Sequence, residues 1–286
     1  MKILVTGGRG QLGRAVVRRG TAQGHTVASP DVDEMDICDA RSVERAIVTE
    51  TPDLVINGAA YTAVDKAESE KALAYKINRD GAKVLAEACR NHKVRLLAVS
   101  TDYVFDGMAT TPYHTDDPIE PIGVYGASKA DGEVAVRKRG GVVVRTSWLF
   151  EAKGPSFVHT MVRLANERPV LKVVADQRGC PTWADDLADA LIQLAPKAVA
   201  GDVYHFCNDG ETTWHAFASA IIEEARRIRP LACERVEAIT TAEYPTPAKR
   251  PAYSVLDTSK IRALGIVPPS WRPGVAQVVA EILREE

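Results

Sequence analysis

Tyr125 and Lys129 stand four residues apart in Val124-Tyr-Gly-Ala-Ser-Lys129, a spacing that puts two side chains on one face of a helix. A phenol ionises near pH 10 and carries protons poorly at neutral pH, but an ammonium one turn away stabilises the phenolate and lowers that value. The pair is therefore read as an acid/base couple working near pH 7. In a chain with eight tyrosines the spacing arises readily by chance. Its weight comes from its position after Ser100-Thr101-Asp102-Tyr103, which closes a strand-like run, and α/β sheets bind their ligands at the carboxyl ends of strands.

A second constellation opens the chain. After the apolar run Lys2 to Thr6 come Gly7, Gly8, Gly10, Gln11, Leu12 and Gly13, followed by a helical stretch through Val16 and Val17. Gly8, Gly10 and Gly13 fit G-x-G-x-x-G, and Gly7, Gly10 and Gly13 fit G-x-x-G-x-x-G equally well. Either spacing lets the backbone turn tightly and brings a pyrophosphate against the N–H groups of a helix N-terminus. About 20 residues on, Asp31 follows the second strand-like run, with Asp33, Glu34 and Asp36 behind it. A carboxylate there accepts hydrogen bonds from ribose hydroxyls, which points to a dinucleotide rather than a bare phosphate. It leans toward NADH, because Asp31 would repel a 2′-phosphate unless Arg9 swings over to neutralise it. The cofactor is therefore left as NADPH or NADH.

These residues need elements to hold them. Short β-type runs at Lys2 to Thr6, Thr26 to Ser29, Asp53 to Asn57, Val94 to Ser100 and Val142 to Ser147 alternate with helical periodicity at Ser42 to Glu50 and Ser69 to His92. That alternation predicts an α/β fold, a Rossmann-type doubly wound parallel sheet. Past Ser147 the spacing predicts helices at Phe157 to Glu167, Ala184 to Leu194 and Trp214 to Arg229, with strands at Leu171 to Val174 and Val203 to Cys207. The expected division is a dinucleotide-binding domain of residues 1–150, with 170–210 and 252–258 returning to it. A smaller C-terminal substrate-binding lobe would comprise 151–169, 211–251 and 259–286.

Composition sets the outer limits. The 286 residues, 45% hydrophobic and 26% charged, suffice for one large domain or two unequal ones. A formal net charge of −2 supplies no field for nucleic acid or an anionic membrane, and the apolar runs are far shorter than the ~20 residues of a membrane helix. Arg137-Lys138-Arg139 and the Arg226-Arg227-x-Arg229 run read as helix C-terminal cations. The start of the chain does not read as a signal peptide. Five scattered cysteines, without a Cys-x-x-Cys pair, fit reduced thiols in a cytoplasmic protein. His205-Phe-Cys207 is read as structural, since a zinc site needs a third and fourth ligand.

The glycine loop, Ser100 and Thr101, and Tyr125-x-x-x-Lys129 together resemble the extended short-chain dehydrogenase/reductase family over essentially the whole chain. Six further segments narrow the resemblance: Asn57 to Glu68, Ser100 to Gly107, Arg145 to Trp148, Asp176-Gln-x-Gly-x-Pro-Thr182, Thr213-Trp-His215, and Tyr244 to Pro251. They are similar to members that reduce the 4-keto group of a dTDP-linked keto sugar. The resemblance implies that Gly7, Gly10, Gln11, Leu12 and Gly13 meet the cofactor pyrophosphate, and that Asp31, Asp36 and Ile37 border its ribose and adenine. Ala60, Tyr61 and Thr62 would line the nicotinamide side. Tyr125 would donate the proton, Lys129 would hold the nicotinamide ribose, and Thr101 would hydrogen-bond the reacting sugar oxygen, with Asp102 and Trp148 on the substrate.

The chemistry of these residue types is consistent with such roles. Negative charge grows on a carbonyl oxygen as hydride arrives at its carbon, and Thr101 and Tyr125 would meet that oxygen with a hydrogen bond and a proton. Plainer readings stand beside these: Trp148 as a core aromatic, Asp102 as a cap, and Lys249-Arg250 as either a pyrophosphate contact or a solvated pair. No metal is expected. Some relatives carry a glutamate used in a magnesium-bridged dimer two positions beyond the last loop glycine, where this chain has Ala15; a homodimer is left open. The rival readings are a nucleotide-sugar epimerase or dehydratase of the same fold, and a non-catalytic cofactor-binding regulatory subunit.

Overall fold

The computed structural model describes residues 1–285. Eight strands of three residues or more run in the order β1 (Lys2–Thr6), β2 (Thr26–Ala28), β3 (Leu54–Asn57), β4 (Arg95–Thr101), β5 (Val142–Thr146), β6 (Val170–Val174), β7 (Val203–His205) and β8 (Arg235–Ile239). Six of them form one parallel sheet in the order β7-β5-β4-β3-β1-β2. The order reverses direction between β1 and β3, which opens a crevice beyond their carboxyl ends. The central strands β3 and β5 are buried on both faces and rich in Val, Ile and Leu, as a sheet covered on both sides requires.

Helices α1 (Gln11–Ala22), α2 (Ala40–Glu50), α3 (Ala82–Asn91), α4 (Val124–Arg137), α5 (Phe157–Glu167), α6 (Ala184–Leu194), α7 (Trp214–Ile228) and α8 (Trp271–Glu285) complete the frame. One sheet face packs Ile3, Val5, Ile56 and Val144 against α1 and α6; the other packs Leu4, Val55 and Val143 against α2 and α3. Local sequence sets several helix starts: Asp39, Ser156 and Thr213 each accept a backbone N–H of the first turn of α2, α5 and α7.

A separate cluster joins α5, α7, α8 and β6 around Phe217, which is fully buried among Trp148, Phe150, Phe157, Trp214 and Trp271. Here the structure corrects two expectations. Strand β6, placed by sequence with the segment returning to the first domain, instead pairs in parallel with β8, and Leu171 and Val173 belong to this second cluster. Conversely Ile261 and Ile266, expected in the smaller lobe, pack in the first. Both sites are short apolar stretches whose partner lies far away in sequence, which periodicity cannot reveal.

The predicted helix Ser69 to His92 is also interrupted. Lys71–Tyr75 and α3 are separated by a π-helical turn, Lys76–Gly81. Such a turn adds a residue per winding and turns one side chain inward; that side chain is Asn78, 3% exposed. Among the described residues no helix is long and apolar enough to cross a membrane.

Candidate active site

The glycine loop lies where β1 meets α1. Gly10 N–H donates to Gly7 O at 2.9 Å, and α1 starts at Gln11 with no side-chain cap, which leaves first-turn N–H groups aimed at the crevice as an anion site. A Cβ on Gly13 would stand 2.3 Å from the Gly7 carbonyl oxygen, so only glycine lets the helix start this close to the loop. Leu12 is buried and can offer only its backbone outward. Gln11 Nε2 donates to the Pro155 carbonyl at 3.3 Å, while its buried Oε1 has no partner.

Asp31 accepts the N–H groups of Arg9 and Val32 at 2.9 and 2.7 Å. Arg9 lies over it at 4.0 Å but pairs at 2.9 Å with Asp33. Asp36 accepts from Cys38 N–H, and Ile37 is buried against Gly81 of the π turn. A dinucleotide thus fits this end of the crevice: free helix N–H groups for its pyrophosphate, a small-residue floor and a carboxylate at the ribose position.

Beyond β3, Ala60, Tyr61 and Thr62 form a loop that Asn78 fastens. Tyr61 N–H donates to Asn78 Oδ1 at 2.8 Å, and Asn78 Nδ2 donates to Tyr61 O and to Ser128 Oγ at 3.0 and 2.9 Å. Asn78 therefore ties this loop to the helix that carries Tyr125 and Lys129. The Tyr61 hydroxyl donates to Glu70 at 2.6 Å.

Tyr125 lies in the first turn of α4, whose opening Val124 N–H donates to Glu68 at 2.8 Å. A Cβ on Gly126 would meet the Tyr103 carbonyl oxygen at 2.0 Å, so this glycine lets α4 press against the turn that carries Thr101 and Asp102. Tyr103 and Tyr125 meet edge to face at 5.7 Å. The Thr101 hydroxyl donates to Asp102 Oδ1 at 3.0 Å, and Asp102 Oδ2 is buried with no donor. Burial pushes the Asp102 carboxyl up to about 6, against the pull of Ser254 and Thr101.

The electrostatics differ from the sequence expectation. Burial raises the Tyr125 phenol to about 12, with nearby Thr101 drawing it down and Asp102 adding to the rise. Lys129 does not lower it, because the ammonium turns to the Val99 carbonyl at 2.7 Å. Burial also lowers Lys129 to about 8, and Glu133 opposes that fall. The phenol is accordingly held protonated at neutral pH, the form a proton donor needs.

Trp148 follows β5 in a left-handed conformation, φ +47°, a conformation a bulky residue rarely adopts. Its ring stacks on Trp214 at 3.6 Å and 11°, and Gly179 backs onto it. Arg250 is paired with Asp65 at 2.8 Å, and Asp65 also accepts the Ala248 N–H, so this cation is bound rather than solvated. Among the described residues no three His, Cys, Asp or Glu side chains are grouped to hold a metal. His205, fully buried, lies 3.2 Å from the Asp257 carbonyl, and burial beside Arg145 lowers it to about 3.

Sequence reasoning missed Asn78, Glu68, Trp214 and Glu151. Glu68 and Trp214 left a trace, each inside a segment quoted for resemblance. Glu151, 1% exposed on its side chain, joins Arg14 and Arg18 of α1 at 3.0 and 3.3 Å, fixing the segment after β5 to the helix behind the glycine loop.

Comparison with known proteins follows the same lines. The family model described as RmlD substrate binding domain matches residues 1–284. A dTDP-4-dehydrorhamnose reductase of Aggregatibacter actinomycetemcomitans is 44% identical over 98% of both chains, and one of Burkholderia thailandensis is 42% identical over 100% of both. The crystal structure of a dTDP-4-dehydrorhamnose reductase from Bacillus anthracis, in complex with NADP, superposes with a TM-score of 0.92 at 35% identity, covering 98% of this chain and 99% of that one.

Proposed function

The chain belongs to the RmlD substrate binding domain family, and on that premise we propose that it reduces the C4 ketone of dTDP-4-dehydro-L-rhamnose to dTDP-L-rhamnose with NADPH or NADH, the last step of dTDP-rhamnose biosynthesis. The observation that carries this reading is the convergence of Thr101, at the end of β4, with Tyr125 and Lys129, in the first turns of α4, at the mouth of the crevice opened by the glycine loop.

The nicotinamide supplies a hydride for the C4 carbon. The chain supplies the rest. Tyr125, a protonated phenol at neutral pH, gives its proton to O4 as charge grows there, and the Thr101 hydroxyl hydrogen-bonds the same oxygen. Lys129 holds the nicotinamide ribose. The first turn of α1, with Gly7, Gly10, Gln11, Leu12 and Gly13, binds the pyrophosphate; Asp31, Asp36 and Ile37 border the adenosine; Ala60, Tyr61 and Thr62 flank the nicotinamide. Asp102 and the Trp148 ring, braced by Trp214, contact the sugar. The dinucleotide part comprises the six-stranded sheet with its helices, and the lobe around Phe217 closes the substrate side. We place the protein in the cytoplasm, where its cofactor is found.

The test is cofactor oxidation across dTDP-, UDP- and GDP-linked keto sugars. Consumption of NADPH or NADH with dTDP-4-dehydro-L-rhamnose, and formation of dTDP-L-rhamnose, is expected. Turnover without added reductant, on cofactor that copurifies, would instead mark an epimerase or dehydratase.

A further inference from the structure

One turn beyond Lys129 on the same helix stands Glu133, 3% exposed, continuing the four-residue step that begins at Tyr125. Its carboxylate is gripped by Arg145 of β5 through Nε at 3.0 and 3.2 Å and Nη2 at 2.8 Å. Arg145 is itself 1% exposed and fixed by three further contacts: the Thr115 carbonyl at 3.3 Å, His205 at 3.3 Å and the face of Phe105 at 5.1 Å. An ion pair this deep is not needed for stability, since apolar side chains of equal volume generally serve as well or better. Its placement suggests another use.

Glu133 and Lys129 line one small cavity of about 10 Å³, room for a single water. Ser100, whose buried hydroxyl has no protein partner, Asn57 and Asn78 complete its polar wall. The remaining lining, from β4, β5, α3 and α4, carries no charge. His205 behind Arg145 is neutral, and Asp257 lies beyond it against His114. Among the described residues, Glu133 is therefore the one anion that shares this cavity with Lys129, and Arg145 holds its carboxylate in place.

We propose that Glu133 is a positioning residue for the reaction: its carboxylate, clamped by Arg145, keeps Lys129 charged inside a site whose burial would otherwise strip its proton. This rests on Lys129 holding the nicotinamide ribose. Charge-assisted hydrogen bonds are about twice as strong as neutral ones, so loss of the proton weakens cofactor binding.

The measurement is NADPH affinity by fluorescence from pH 6.5 to 10, which needs no turnover. Wild type should lose affinity as Lys129 deprotonates. In Glu133→Gln the midpoint of that loss should fall by about one pH unit, roughly fivefold weaker binding at the wild-type midpoint. Because E133Q leaves Arg145 buried without its partner, E133M/R145M is measured beside it; it replaces both ions by apolar volume and should move the midpoint the same way by a smaller amount. Glu133→Asp keeps both charges and the fold, draws the carboxylate back by one methylene, and should move the midpoint a smaller distance the same way. Midpoints unmoved in the folded variants overturn the inference, as does a shift in E133Q that E133M/R145M abolishes, since the unpaired Arg145 would then be its cause. A wild type whose affinity is flat from pH 6.5 to 10 overturns the role of Lys129 itself, and the inference with it.

Discussion

The Lys129 ammonium donates to the Val99 carbonyl at 2.7 Å, so the residue that would serve the nicotinamide ribose is fixed to the backbone of β4, two residues before Thr101. Strand and helix thereby hold Thr101, Tyr125 and Lys129 in one frame. Burial lowers Lys129 to about 8, and its charged form is the useful one. Activity should therefore be sustained below that value and lost as the pH rises through it. We expect kcat/KM for the keto sugar, followed from pH 6 to 10, to decline above about pH 8. Lys129→Met should reduce it about 100-fold or more and remove the decline. A wild-type profile flat to pH 10 would contradict the assignment.

Asp102 is a buried carboxyl with one unpartnered oxygen, raised to about 6. Since the folded protein binds this proton more tightly than the unfolded chain, the contribution of Asp102 to stability is fully present below about pH 4 and is lost as the pH climbs to about 6. Asp102→Asn removes that loss. It should stabilise the protein by about 3 kcal/mol at pH 7.5 and by next to nothing at pH 4, while raising KM for the keto sugar. Thermal unfolding of both proteins at the two pH values checks this. An equal change in Tm at both would show that the carboxyl is not the source.

Glu151 links the chain after β5 to Arg14 and Arg18 of α1. Arg14 also donates to the Arg9 and Lys153 carbonyls, so the cluster fixes the glycine loop. Glu151→Gln should cost about 1–3 kcal/mol, less than a wholly buried pair because both arginines retain solvent contact, and should weaken NADPH binding more than keto-sugar binding. Denaturant unfolding and fluorescence titration measure the two effects. Unchanged cofactor affinity in a destabilised variant would confine Glu151 to the fold.

What could be read from the sequence was what a short window contains. Glycines after a strand, Tyr125 with Lys129 at one helical step, and Thr101 at a strand end are local patterns, and the parallel sheet follows from alternating periodicities. Asn78 was hidden because a π turn interrupts a pattern that reads as one continuous helix. The phenol's protonation state was misjudged for a related reason: helical spacing showed that Lys129 and Tyr125 share a face, but only the packed structure shows the ammonium turned to Val99. Of the two readings given to Trp148, the core aromatic is the one its surroundings show, since its ring belongs to the aromatic cluster of the smaller lobe through Trp214. Strand β6 went to the wrong cluster because its partner, β8, lies some sixty residues away.

The central claim is that Tyr125 protonates the ketone oxygen while hydride arrives at C4. Single-turnover oxidation of bound NADPH by saturating dTDP-4-dehydro-L-rhamnose tests it most directly, in wild type and in Tyr125→Phe. Wild type should yield one equivalent of dTDP-L-rhamnose, and the variant, which keeps the ring but lacks the proton, should bind both ligands and react at least about 100-fold more slowly. A Tyr125→Phe protein that turns over at the wild-type rate would contradict the account.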